Sequence, residues 1–262
     1  MHPDRNPLRK VRPEETSLLS SRISYFFDPD VMRGYRPDYV STKQYEKLLS
    51  ENKARYALVR ASQLSVRPMD KPPLEFPKKS DPELVEDLTK AQHLAAVVEP
   101  RLAQVYDVLK QGEPDRPKLT SPRWQAGFDL AMGRVLAAKV RTEGYNSMLA
   151  KAKQGMKFRD ARSDTWELEP SDQVTVSSAL EKQAKQARMY LERVTREHKG
   201  TPWALLAQAE LDEKFGWRWQ ETYTGVIKEK EIVADPMGDD RNPDDKKKML
   251  ARPKPRAPLP RL

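Results

Sequence analysis

The chain has 262 residues, 37% of them apolar, with 22 prolines, no cysteine and a formal net charge of +9. Residues 246–262 carry +7 and residues 1–12 carry +3, which leaves −1 for 13–245; the basic character lies in two tails, unlike a nucleic-acid-binding fold with a charged face. The missing cysteine excludes disulfides and Cys-ligated zinc or iron–sulfur centres, and no 18-residue apolar run or N-terminal apolar h-region marks a membrane span or an export signal.

Residues 1–13, with three prolines, read as an unanchored arm. A short helix is expected over 14–27, with Leu18, Leu19, Ile23, Phe26 and Phe27 on one side. Asp28-Pro29-Asp30 opens a new turn, and 31–40 (VMRGYRPDYV) reads as an irregular packed connector. Ser41-Thr42-Lys43-Gln44 has capping-box spacing and predicts a helix over 42–62 with Tyr45, Leu49, Tyr56 and Val59 inward. Four prolines in 65–79 remove backbone donors and predict a linker.

Ser80-Asp81-Pro82-Glu83 starts a helix over 82–111, striped by Leu84, Leu88, Ala91, Ala95, Val98, Leu102, Val105 and Leu109. Pro100 lies inside a stripe that resumes in phase, so a kink is expected there and not an end. After a polar turn, Ser121-Pro122 opens the longest helix, 122–157. Its stripe runs Trp124, Phe128, Ala131, Val135, Ala138, Thr142, Tyr145, Leu149, Ala152, Met156, one face about 50 Å long at 1.5 Å per residue. Gly127, Gly133, Gly144 and Gly155 each cost it roughly 1 kcal/mol of helix propensity relative to Ala. Tertiary packing must offset that, and small residues admit close neighbours.

Residues 159–171 read as a polar loop holding Trp166 and Leu168. A helix over 173–198 follows, with Leu180, Ala184, Ala187, Leu191 and Val194 inward, closed by a basic last turn and Gly200. Thr201-Pro202 starts the last helix, 202–214, ended by Gly216; Trp217, Trp219, Glu221 and Tyr223 then alternate as a short extended segment lying back on the helices. The fold class expected is all-α: antiparallel amphipathic helices packed at shallow crossing angles. An arm and connector (1–40) precede a helical domain (41–225) and a disordered Lys/Pro-rich tail (226–262).

Candidate sites are few. His2, His93 and His198 lack partners at metal-ligand spacing; His93 reads as an ordinary helix-face residue and His198 as a favourable charge at a helix C-terminus. Asp240, Asn242 and Asp244 imitate the start of a calcium loop, but Asp245 replaces the turn glycine and Ala251 the bidentate glutamate, which leaves a solvated acidic turn. No phosphate-binding glycine loop, nucleophile elbow or HExxH is present, so no enzyme activity and no cofactor are expected. Trp203, Trp217 and Trp219 fall within 17 residues and suit either the closure of a small core or an interaction surface. Lys246, Lys247 and Lys248 head a tail that solubilises the C-terminus or touches anionic partners; without interleaved aromatics, nucleic acid is the weaker reading.

Two stretches are similar to known families. VTREHKGTPWALLAQAEL (194–211) resembles the junction of a tetratricopeptide-like hairpin, with Ala204 and Ala207 where small residues let helices approach. It occurs once, whereas a repeat array needs about three units. The ensemble FFDPDVMRGYRPDYVS (26–41), SENKARYALVRAS (50–62), LTSPRWQAGFDLAMGR (119–134), RTEGYNSMLAKAKQG (141–155) and TPWALLAQAELDEKFGWRW (201–219) covers about residues 26–225. It resembles the C-terminal helical region of von Willebrand factor A domain-containing proteins of Planctomycetes. That resemblance implies an α/β domain preceding this region, with residues 1–25 a remnant of its last segment. It also implies an envelope or secreted setting and a non-enzymatic protein-interaction module, with a von Willebrand factor A domain among the partners. The family's DxSxS adhesion motif is absent here.

Overall fold

The computed structural model describes residues 27–64 and 72–226. The arm (1–13), all but Phe27 of the helix expected over 14–27, the acidic turn at 240–251, and the basic tail with Lys246, Lys247 and Lys248 fall outside these residues. Seven α-helices and one three-stranded antiparallel sheet make up the described fold, so the chain is predominantly helical without being all-α. None of the described helices is long and apolar enough to cross a membrane.

Helix α1 (Pro29–Arg33) is capped by Asp28, whose side chain accepts from the Asp30 amide at 2.8 Å. Helix α2 (Thr42–Ser50) begins where Ser41 Oγ accepts from the Gln44 amide. It is shorter than the single helix expected over 42–62. At Asn52 the chain starts afresh: its Oδ1 accepts from the Ala54 and Arg55 amides at 2.9 and 3.1 Å and opens α3 (Lys53–Gln63). Asparagine is a strong cap because its side chain satisfies amides that the first turn leaves bare. The restart resets the helical phase, so Ala54, Ala57 and Ala61 face the core and Tyr56, expected inward, is 54% exposed.

Strand β1 (Glu75–Pro77) lies in the segment expected to be a linker. It is an edge strand, the position in a sheet where a proline without an N–H is tolerated. Helix α4 (Asp81–Gly112) then runs unbroken through the exposed Pro100, with Leu84, Leu88, Ala91, Ala95, Leu102 and Leu109 buried as the stripe requires. A short 3-10 segment, Glu113–Lys118, turns the chain into α5 (Pro122–Ala152). Gly155, at φ +103, occupies a backbone region closed to most side chains, so α5 ends at Ala152 and not near 157.

Strand β2 (Thr165–Ser171) replaces the polar loop expected over 159–171. Helix α6 (Ser178–Glu197), capped by Ser177, and α7 (Pro202–Asp212), capped by Thr201, come next; β3 (Gly216–Thr222) follows as the expected extended segment. In the sheet, order β1-β2-β3, Trp166 pairs with Phe76 on one side and Glu221 on the other.

Helix α5 is the axis of the molecule. The sequence gives it one apolar face, but Ala126, Leu130, Met132, Gly133, Leu136, Ala137, Val140 and Gly144 are buried as well as Phe128, Val135 and Leu149. Neighbours on several sides, α3, α4, α6, α7 and β3, account for this. The glycines allow the closest approaches. A Cβ on Gly133 would stand 2.6 Å from Leu191 Cγ of α6, and one on Gly112 would stand 2.8 Å from Ala54 Cα of α3. The core has two parts. One joins the helices around the N-terminal half of α5; the other packs the sheet against Leu84 to Ala95 of α4 and Tyr145 to Ala152 of α5. The start of α4 thus meets the end of α5, and these two helices run antiparallel.

Candidate interaction site

The three tryptophans adjacent in sequence separate in space. Trp203, on the first turn of α7, stacks on Tyr35 with centroids 5.3 Å apart and carries the Arg123 guanidinium over its ring at 5.4 Å. Trp217 anchors β3 to α5, its Nε1 donating to the Arg141 carbonyl at 2.9 Å and its ring edge-on to Tyr145. Trp219, on the same face of β3, packs edge-on against Phe76 and Trp166. Trp203 belongs to the helical part of the core, and Trp217 and Trp219 to the sheet part, so no single three-tryptophan platform exists.

His198 departs from the expected helix-end cation. It is 3% exposed, with Nδ1 2.8 Å from the Tyr35 hydroxyl and Nε2 without a hydrogen-bond partner. Burial holds its pKa below the ordinary 6.5, against the pull of Glu197 and Asp129, so the ring is neutral. His93 is an exposed position on α4, as expected. Among the described residues, no group of three or more His, Cys, Asp or Glu could hold a metal ion.

A buried ionic network, not read from sequence, binds the 3-10 segment and α6 to α5. Asp129 is fully buried; it accepts from Arg116 Nε at 3.1 Å on both oxygens and from Arg193 Nη1 at 3.4 Å. Arg116 also lies 3.6 Å from Glu197. Nearby the Tyr190 hydroxyl donates to Glu113, and burial together with that carboxylate raises the phenol's pKa. Each charge has an opposite partner, so the network suits positional control of three elements rather than proton transfer. The readable signal was Asp129 itself, an acid set between Phe128 and Leu130 inside an apolar helix.

A groove of about 730 Å³ lies at the meeting of α3, α4, α5, α7 and β3. On one side lie Ala61 and Leu64 of the α3 end with Val98, Leu102 and Val105 of α4; on its floor lie Ala131, Val135 and Ala138 of α5, with Trp217 beside them. The opposite wall is an ion-pair chain. Arg134 meets Glu210 at 3.3 Å, Glu210 meets Arg141, and Arg141 reaches Glu213 at 3.3 Å. Arg141 also donates to the Lys214 carbonyl at 3.0 Å and lies 5.0 Å over the Phe215 ring, which fixes the corner between α7 and β3. The groove therefore has an apolar wall, an apolar floor and one charge-balanced wall. Of the residues singled out in sequence, Trp217 lines it; Trp203 and Trp219 do not.

Comparison with protein-family models, with curated proteins and with solved structures returns no match for this chain.

Proposed function

We propose that this chain is a non-enzymatic protein-interaction module, and that its groove takes an amphipathic helix from a partner. The shape of the groove carries this reading. Its walls differ in chemistry, so a helix lying in it places an apolar ridge at i, i+3, i+4 and i+7 against Val98, Leu102, Val105 and Ala131. Its polar edge runs along Arg134, Glu210, Arg141 and Glu213, and because two bases alternate with two acids, that edge is of mixed charge. The hairpin of α6 and α7 is read as the tetratricopeptide-like element, and it contributes Glu210 to that wall. The resemblance to von Willebrand factor A-associated helical regions supports this reading and makes such a domain the first partner to try.

The test uses the full chain and fluorescent helical peptides carrying an apolar ridge and a mixed Glu/Lys edge. Binding is expected at micromolar affinity, about 8 kcal/mol. Val105→Lys, on the half-buried apolar wall, should weaken it at least tenfold at a temperature where the variant's melting curve shows it folded. Equal binding by the variant, or a concentration-dependent dimer of the chain that the same change abolishes, would overturn the proposal.

A further inference from the structure

A second cavity, about 500 Å³, opens on the sheet, lined by Met156, Lys157, Arg159, Trp166, Trp219 and Glu221. Its two indoles are held in place by other rings. Phe158 stacks on Trp166 at 4.7 Å, Phe76 packs edge-on to Trp219 at 5.7 Å, and the indoles meet each other edge-on at 6.4 Å. Both Nε1 atoms are buried without a hydrogen-bond partner, and Trp166 as a whole is 6% exposed. They are two of the four unsatisfied buried side-chain atoms among the described residues. An indole nitrogen can only donate, so each of these two side chains lacks an acceptor.

The charges around the cavity have the matching sign. Lys157 and Arg159 line it from the segment after α5. The one acid present, Glu221, is already engaged: its carboxylate accepts from the Arg159 amide at 2.9 and 3.0 Å and from the Asp160 amide at 3.1 Å. A carboxylate has two oxygens that can each accept from one of two separate N–H donors, and the indole and thioether walls suit an apolar substituent.

We propose that a small carboxylate bearing an apolar substituent binds here, its oxygens taking the Trp166 and Trp219 N–H groups and its charge facing Lys157 and Arg159. The flexible Met156 is the lining side chain that gives way as the acceptor reaches the buried donors. A free organic acid and the C-terminus of a peptide share this chemistry.

The experiment follows the indole N–H resonances of the five tryptophans of the full ¹⁵N-labelled chain, assigned by single Trp→Phe changes. Benzoate, benzamide and an acetylated tripeptide ending in phenylalanine, as free acid or amide, are the probes. Saturable shifts confined to Trp166 and Trp219, with benzoate or the free-acid peptide and not with the neutral analogues, are expected. The better of those two probes identifies the source of the carboxylate. Trp219→Phe should weaken binding about tenfold through loss of one donor. The exposed pair Lys157→Gln and Arg159→Gln should remove the preference for the acid over its amide, which keeps the test valid if Trp219→Phe does not fold. Absence of any saturable shift, equal response to benzamide, or shifts spread over all five indoles would overturn the proposal.

Discussion

The Tyr35 hydroxyl and His198 Nδ1, 163 residues apart in the chain, lie 2.8 Å from each other in a buried contact. Tyr35 also stacks on Trp203, and its carbonyl accepts from Arg123 at 3.2 Å. The connector after α1 is thereby fastened to the corner between α6 and α7.

This contact predicts an acid-sensitive fold. Burial keeps the His198 pKa below 6.5 in the folded state, whereas the unfolded ring protonates at the ordinary value. Between the two, the unfolded chain holds more protons, so stability is full above about pH 6.5 and declines as the pH falls toward the folded pKa. Glu197 and Asp129 partly oppose the shift and Arg116 reinforces it. Urea unfolding of the wild type at pH 8 and pH 5 should show this loss, and His198→Gln should flatten it. An unchanged slope in the variant would rule out His198 as the origin.

Removing Asp129 should be among the most damaging single changes. Its carboxylate is fully buried between two arginines, Arg116 with a side chain 14% exposed and Arg193 with one 26% exposed. Asp129→Ala leaves both without it, at about 3–5 kcal/mol. Combining it with Arg116→Ala should cost less than the two separate losses added together, as equilibrium unfolding of the four variants in a cycle can measure.

At Gly133 helix propensity and packing oppose each other. Alanine there gains about 1 kcal/mol of propensity. Its Cβ, however, meets Leu191 Cγ at 2.6 Å and Cδ2 at 2.7 Å, a clash of the kind that costs about 1–3 kcal/mol. A net loss of thermal stability is expected for Gly133→Ala. Leu191→Ala alone opens a cavity, but on the Gly133→Ala background it should do less harm than on the wild type.

Asn52→Ala should cost about 1–2 kcal/mol through the lost cap. The same side chain donates from Nδ2 to the Asp115 carbonyl at 3.2 Å, so α3 should loosen from the 3-10 segment as well. Hydrogen exchange at the Ala54 and Arg55 amides is the direct readout.

The helices were legible because their stripes hold apolar residues at constant phase: Leu84 to Leu109 on α4, and Leu180, Ala184, Ala187, Leu191 and Val194 on α6, face the core as the spacing requires. What small residues do was not legible. Ala126, Ala137 and Gly144 lie off the apolar stripe expected for this helix, yet they are buried because other elements cover α5 on those sides. The sheet was half visible. Trp217 and Trp219 alternate clearly, while the period-two pattern of Thr165-Trp166-Glu167-Leu168 was masked by flanking charges and by a partner strand about 50 residues away. The groove could not be read at all, since Leu102, Ala131, Glu210 and Trp217 converge only through the antiparallel return of the helices. Asn52 shows the remaining weakness: one cap inside a good helical run shifts the phase and turns Tyr56 to solvent.

Strands β2 and β3 are hydrogen-bonded neighbours, yet α6 and α7 are both threaded between them. During synthesis, β2 leaves the ribosome tens of residues ahead of the strand that covers its open side. Until Gly216–Thr222 emerges, Trp166 and Leu168 sit on a ribbon with one bare edge, a natural docking line for a holding chaperone or for a neighbouring nascent chain.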